Sequence, residues 1–184
     1  MASSLLLSQR PRVEQLLSVY RDMIGSDYAG YRNHVYRTVT YALHFLNDRH
    51  QQLVETALVY HDLGLWTDRQ LAYLEPSEAL ALRDNEKYGW GLDPEALGGI
   101  IHWHHKIFRY TGPHAEVIEA CRKADWVDAT QGWLRKGLRR DFISRVETEF
   151  PNCGFHASLM RLAKDYGGSS LVGGCKVMWG ILKW

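Results

Sequence analysis

Cysteine is scarce and badly placed for crosslinking. The chain has three, Cys121, Cys153 and Cys175, an odd number without any C-x-x-C spacing. That argues against a disulfide framework and against a zinc ribbon, and a reducing cytoplasm suits it best. Net charge is also nearly missing: 22 basic against 21 acidic residues leave a formal +1. Without a global field there is no basis for expecting a nucleic-acid polymer or an anionic membrane as partner. No uninterrupted apolar run approaches membrane-spanning length, so no membrane span is expected. The short run Ser3–Leu7 has neither a basic residue beside Met1 nor a small-residue cleavage site, and does not read as a signal peptide. Convincing apolar/polar alternation is missing too, as are internal repeats and low-complexity tracts.

What is present is helical periodicity. With 46% hydrophobic and 23% charged residues over 184 positions, the composition is that of a globular protein with a proper core. The expected fold is all-α, a helical bundle forming a single domain over residues 1–184. Val13, Leu16, Leu17, Tyr20 and Met23 recur at helical spacing in a packing helix closed by Gly25, and a Gly-containing turn is expected at Tyr28–Tyr31. A second helix runs Asn33–Asn47, with His34 in its first turn. A third carries Leu53, Val54, Ala57 and Leu58 up to His61-Asp62, where Gly64 is expected to supply a left-handed stop. After a polar connection at Trp66–Gln70, a helix is expected from about Ser77 to Tyr88. Asp93-Pro94-Glu95 opens another running through Ile100-Ile101-His102-Trp103-His104-His105-Lys106. Gly112-Pro113 starts the next, whose apolar positions Val117, Ile118, Cys121 and Ala124 turn Asp125 and Asp128 inward. Leu138–Phe150 and Phe155–Tyr166 read as two more, before an apolar, Gly-punctuated tail.

Chemistry concentrates at six positions. His34, His61, Asp62, His104, His105 and Asp125 fall on four separate helices, each near an apolar face. A buried carboxylate beside a buried imidazole is costly unless something positive neutralises it, and a divalent cation does so while using both as ligands. Imidazole and carboxylate without thiolate suit Mn, Fe, Co, Ni, Zn or Mg, at a site with open coordination positions rather than a closed structural zinc. Plainer roles exist for each residue. His34 can be a hydrogen-bonded core histidine, His102–His105 a polar patch on a surface helix, and Asp125 a partner of Arg122 or Lys123.

The order His34, His61-Asp62, Asp125 resembles the HD-domain superfamily of metal-dependent phosphohydrolases. Thr56-Ala57-Leu58-Val59-Tyr60-His61-Asp62-Leu63-Gly64 is similar to the family's central motif, and Lys123-Ala124-Asp125-Trp126-Val127-Asp128-Ala129 to its final Ala-Asp-x-x-Asp-Ala helix. The resemblance covers residues 33–129. It leaves residues 1–32 as an N-terminal packing helix and 130–184 as C-terminal helices with the tail. It implies that His34, His61, Asp62 and Asp125 bind one divalent metal; a second would need His104, His105 and a bridging Asp62. The implied function is hydrolysis of a phosphate ester, such as a nucleotide or another small phosphorylated metabolite, by metal-activated water. Asp62 or Asp128 would orient that water, His104 or His105 would donate a proton, and Arg37 or Lys106 would hold phosphate, although a solvated surface charge is an equal reading of each cation.

The chain also departs from the family. The extra histidine that two-metal and oxygenase branches carry is missing near Pro76–Ala79, where Glu78 is the nearest substitute ligand. Nucleotidase-type members place an acid where this chain has Leu65. A diiron oxygenase of the same superfamily and a degenerate nucleotide-binding domain therefore stay open as alternatives. Trp66, Trp90, Trp103 and Trp126 are candidates for base stacking, with core packing as their default role. For the apolar tail, packing on its own chain is the first expectation and contact with a second copy, making a homo-oligomer, the next.

Overall fold

The structure, a computed structural model, describes residues 9–167, and among these there are helices and no strands. The order is α1 (Pro11–Ile24), α2 (Tyr28–Leu46), α3 (Gln51–Tyr60), a single turn α4 (Gly64–Thr67), α5 (Leu74–Lys87), α6 (Pro94–Trp103), α7 (Ala115–Ala129), α8 (Arg140–Glu149) and α9 (Phe155–Gly167). The expected all-α bundle is therefore what the chain forms. One continuous core runs from Val13 to Leu162. The apolar tail lies outside the described residues.

The longest helix, α2, is the axis of the molecule, with α7 packed along it and α3 beside it. Both α2 and α3 are buried over most of their surface, so polar residues on them need internal partners. The α6 start follows its sequence signal: Asp93 accepts hydrogen bonds from the Glu95 and Ala96 amides at 2.9 and 3.1 Å. Such a cap stabilises a helix by about 1 kcal/mol.

Three local expectations are corrected. Tyr28–Tyr31 is not a turn. The turn is the 3₁₀ segment Gly25–Asp27, and Tyr28–Tyr31 already belongs to α2. Gly30 is there for close approach, since an added Cβ would lie 3.2 Å from the backbone of Cys153 and Phe155, which crosses α2 at that point. Gly64 likewise does not end a helix in the left-handed region; it begins α4. A side chain there would collide with the Tyr73 carbonyl oxygen and come within 2.9 Å of Ser77 Oγ. Finally, α6 stops at Trp103, which leaves His104 and His105 in the turn beyond it.

Candidate metal centre

Two helix ends and the interiors of two helices converge on one buried cluster. His61 and His104 occupy equivalent local positions, each the first residue after a helix. Carbonyls in the last turn of a helix run short of backbone donors. His61 Nδ1–H donates to Leu58 O at 2.7 Å, and His104 Nδ1–H to Ile101 O at 2.6 Å. His34, inside α2, donates from Nδ1 to Asp128 Oδ2 at 2.6 Å. Carbonyl and carboxylate oxygens only accept, so all three rings carry a proton on Nδ1 and turn Nε2 inward, with its lone pair available whenever the ring is neutral. Orientation of this kind by an outer oxygen is usual for metal-binding histidines.

The inward atoms lie close together. His34 Nε2 is 2.9 Å from His61 Nε2, 3.6 Å from Asp62 Oδ2 and 3.7 Å from Asp125 Oδ1. His61 Nε2 is 3.3 Å from Asp62 Oδ2 and 3.8 Å from Asp125 Oδ1, while His104 Nε2 is 3.3 Å from Asp62 Oδ1. Two groups of three, His34-His61-Asp125 and His61-Asp62-His104, each bring their ligand atoms within 4.8 Å of one another. Two imidazole lone pairs facing at 2.9 Å repel unless a cation or a proton lies between them. Donors bound at about 2.1 Å and at right angles would be about 3 Å apart, so the set fits a divalent ion. The cluster can hold a metal ion.

Electrostatics point the same way. The cluster side chains are nearly inaccessible, with His61 fully buried and Asp62 and Asp125 at 6% and 7% exposure. Burial pushes His61 down to about 3, so its imidazole is neutral and free to ligate at neutral pH. Burial acts to raise Asp62 as well, but the surrounding imidazoles outweigh it and hold that carboxyl well below its usual range. Asp125 is pushed up to about 6, by burial first and by the Asp62 and Asp128 charges against the relief from His104 and His34. Two carboxylates in one dry site compete for too little positive charge, the deficit a cation would fill.

The remaining expected site residues are distributed differently. Asp128 faces away from the ligand atoms. It holds His34 Nδ1 and a forked pair of bonds from Arg37, whose Nη1 also donates to Phe150 O at 2.8 Å. Asp128 therefore orients the His34 ring. Arg37, buried to 2% exposure, is committed to the carboxylate behind the site. Lys106 is buried, with its backbone carbonyl receiving Arg122 and Trp126 Nε1, and it does not line the cavity that opens on the cluster. Glu78 is not brought in either; its Oε2 lies 3.9 Å from His102 Nδ1. None of the four candidate stacking tryptophans lines the cavity, and Trp66 instead donates to Asp27 at 3.0 Å. His105 is close by, with Nδ1 at 3.1 Å from His104 Nε2 and 3.2 Å from the Tyr73 hydroxyl.

No protein-family model, curated protein or solved structure matches this chain. The site consequently rests on its own geometry.

That geometry adds residues the sequence did not single out. Tyr73 sits just before α5, lines the cavity beside Asp62, and has its phenol raised well above the ordinary value by burial and then by the Asp62 and Asp125 charges. Phe155 stacks on His34 with ring centroids 4.2 Å apart. Helix α9 forms a cavity wall with Leu159, Met160, Leu162 and Ala163. No spacing signal ties these residues to the histidines, because only the docking of α9 and the α4–α5 loop brings them there.

Proposed function

We propose that this protein is a metal-dependent phosphohydrolase in which His34, His61, Asp62 and Asp125 hold one divalent cation, of the Mn, Fe, Co, Ni, Zn or Mg group, in an HD-type site. The observation that carries the reading is the convergence of inward-facing Nε2 atoms and two carboxylates at 2.9–3.8 Å, each His fixed from behind by an oxygen. A cation bound there supplies a lowered pKa for a water and polarisation of a phosphoryl oxygen.

The chain's own residues do the rest. Asp62 orients the attacking water, which gives up its proton to solvent as its oxygen bonds to phosphorus. The phosphorus–oxygen bond to the leaving alcohol breaks, and His105 delivers a proton to that oxygen. Solvent returns the proton to His105, whose Nδ1 is 3.1 Å from His104 Nε2 and 3.2 Å from the Tyr73 hydroxyl. Ester and water thus become alcohol and inorganic phosphate, with His104 beside the reacting group as the second candidate donor.

A diiron oxygenase is the second reading, favoured by the two ligand triads that share His61. The test is to assay purified full-length protein against phosphorylated metabolites with Mn, Co, Ni, Mg and Fe supplied separately, alongside its metal content. Phosphate release that needs a cation, and is lost in Asp62→Ala with circular dichroism unchanged, is expected. Two irons per chain with oxygen consumption and no phosphate release would overturn the hydrolase.

A further inference from the structure

The cavity beside the cluster has a volume of about 350 Å³, at the small end for ligand sites of about 300–1,000 Å³. Its chemistry is divided. At one end stand the candidate ligands with Tyr73 and His105. The rest is lined by Leu65, Leu71, Leu159, Met160, Leu162 and Ala163, with His156 as the polar exception, its Nδ1 taken up by Asn152. No Lys or Arg is among the described lining residues.

Two consequences follow from elementary solvation. A second phosphate would find no cation among the described lining residues, only the unpartnered Nε2 of His156, since Arg37 is spent on Asp128 and Lys106 lies off the cavity. A nucleoside or sugar would bring hydroxyl, amine and carbonyl groups against leucine and methionine, and each buried unpaired group lowers affinity by about fivefold to a hundredfold. An apolar group gains instead, by about fourfold for every methylene removed from water.

We infer that the substrate is a phosphate monoester of an apolar alcohol, with a single phosphoryl head at the cluster and an alkyl or aryl body along α9. This rests on the hydrolase reading for the head and on the cavity wall for the body. Leu65 supports it: a leucine 4% exposed faces the same cavity, close to Asp62 in the chain.

The test uses the full-length protein supplied with Mn²⁺, and measures both hydrolysis and binding of ethyl, butyl, hexyl and phenyl phosphate, AMP and glucose 6-phosphate. Expected is a kcat/KM rising by up to about sixteenfold per added pair of methylenes, with AMP and glucose 6-phosphate at least tenfold below hexyl phosphate. In Met160→Lys, a change at a residue 60% exposed and so tolerable to the fold, the hexyl-to-ethyl ratio falls severalfold. If AMP or glucose 6-phosphate is hydrolysed as well as hexyl phosphate, the apolar-alcohol proposal is overturned while the hydrolase stands. If no ester is hydrolysed but binding still tightens with chain length, the hydrolase fails and the apolar subsite stands. Binding and hydrolysis both indifferent to chain length, as when another segment of the chain fills the cavity, would overturn the subsite.

Discussion

Adding a divalent cation to chelator-treated protein should raise its melting temperature, and raise it more at pH 7 than at pH 5. Asp125 sets this difference, since its carboxyl is pushed up to about 6 by burial and neighbouring carboxylates. A carboxyl raised above its ordinary value of about 3.9 favours the fold while protonated, and that contribution is lost as pH rises through about 6. The metal-free protein is therefore strained at neutral pH, where the cation has no proton to displace. With free cation at a hundred times its dissociation constant, stabilisation is about 2.7 kcal/mol. For a chain of this size that is a shift of about 5–11 °C. At pH 5 the proton on Asp125 weakens the cation about tenfold, or about 1.4 kcal/mol, which halves the gain. His61, held near 3 by burial, stays neutral across the range and does not blur the comparison. Scanning calorimetry with EDTA, Mn²⁺, Co²⁺ or Mg²⁺ at both pH values reads the effect directly. A melting temperature indifferent to every cation, or a larger gain at pH 5, would refute the argument.

Asp128→Asn should weaken cation binding about 10–100-fold by releasing the His34 ring. It should also cost about 3–5 kcal/mol in chemical denaturation, because the buried Arg37 loses its counter-charge. Gly64→Ala should destabilise by about 1–3 kcal/mol, since the new methyl meets the Tyr73 carbonyl, and activity should fall with it as Tyr73 is displaced. A neutral effect in urea unfolding would disprove the close approach. Tyr73→Phe should lower turnover by more than it lowers cation affinity in metal titrations, because the hydroxyl reaches His105 and Asp62 without completing either ligand triad. Asp27 is subject to burial, yet bonds from Trp66, Ser158 and Arg161 hold its carboxyl below the usual range. Its support for α9 is present above about pH 4 and lost as pH falls through its own lower value. Asp27→Asn should flatten the acid limb of the unfolding curve.

Helices and their amphipathic faces were legible in the chain itself, because 3.6-residue periodicity and capping residues are local. Asp93-Pro94 announced α6, and the apolar stripes of α3 and α7 turned His61, Asp62, Asp125 and Asp128 inward with no knowledge of their partners. The resemblance to a known superfamily named the same residues but says nothing about what stands behind or beside them. Close approach between distant segments leaves no such trace. Gly30 and Gly64 read as turn residues in one dimension, yet each is small because another segment's backbone crosses it. Arg37 and Asp128 are 91 positions apart, and nothing local couples an arginine expected at phosphate to the carboxylate that consumes it. The sequence by itself determined an all-helical chain with imidazoles and carboxylates on its buried faces. Tertiary structure alone decided which atoms meet at 2.9–3.8 Å, which residues only steady them, and that α9 closes the site with an apolar wall, because distances between helices are set by packing and not by spacing along the chain.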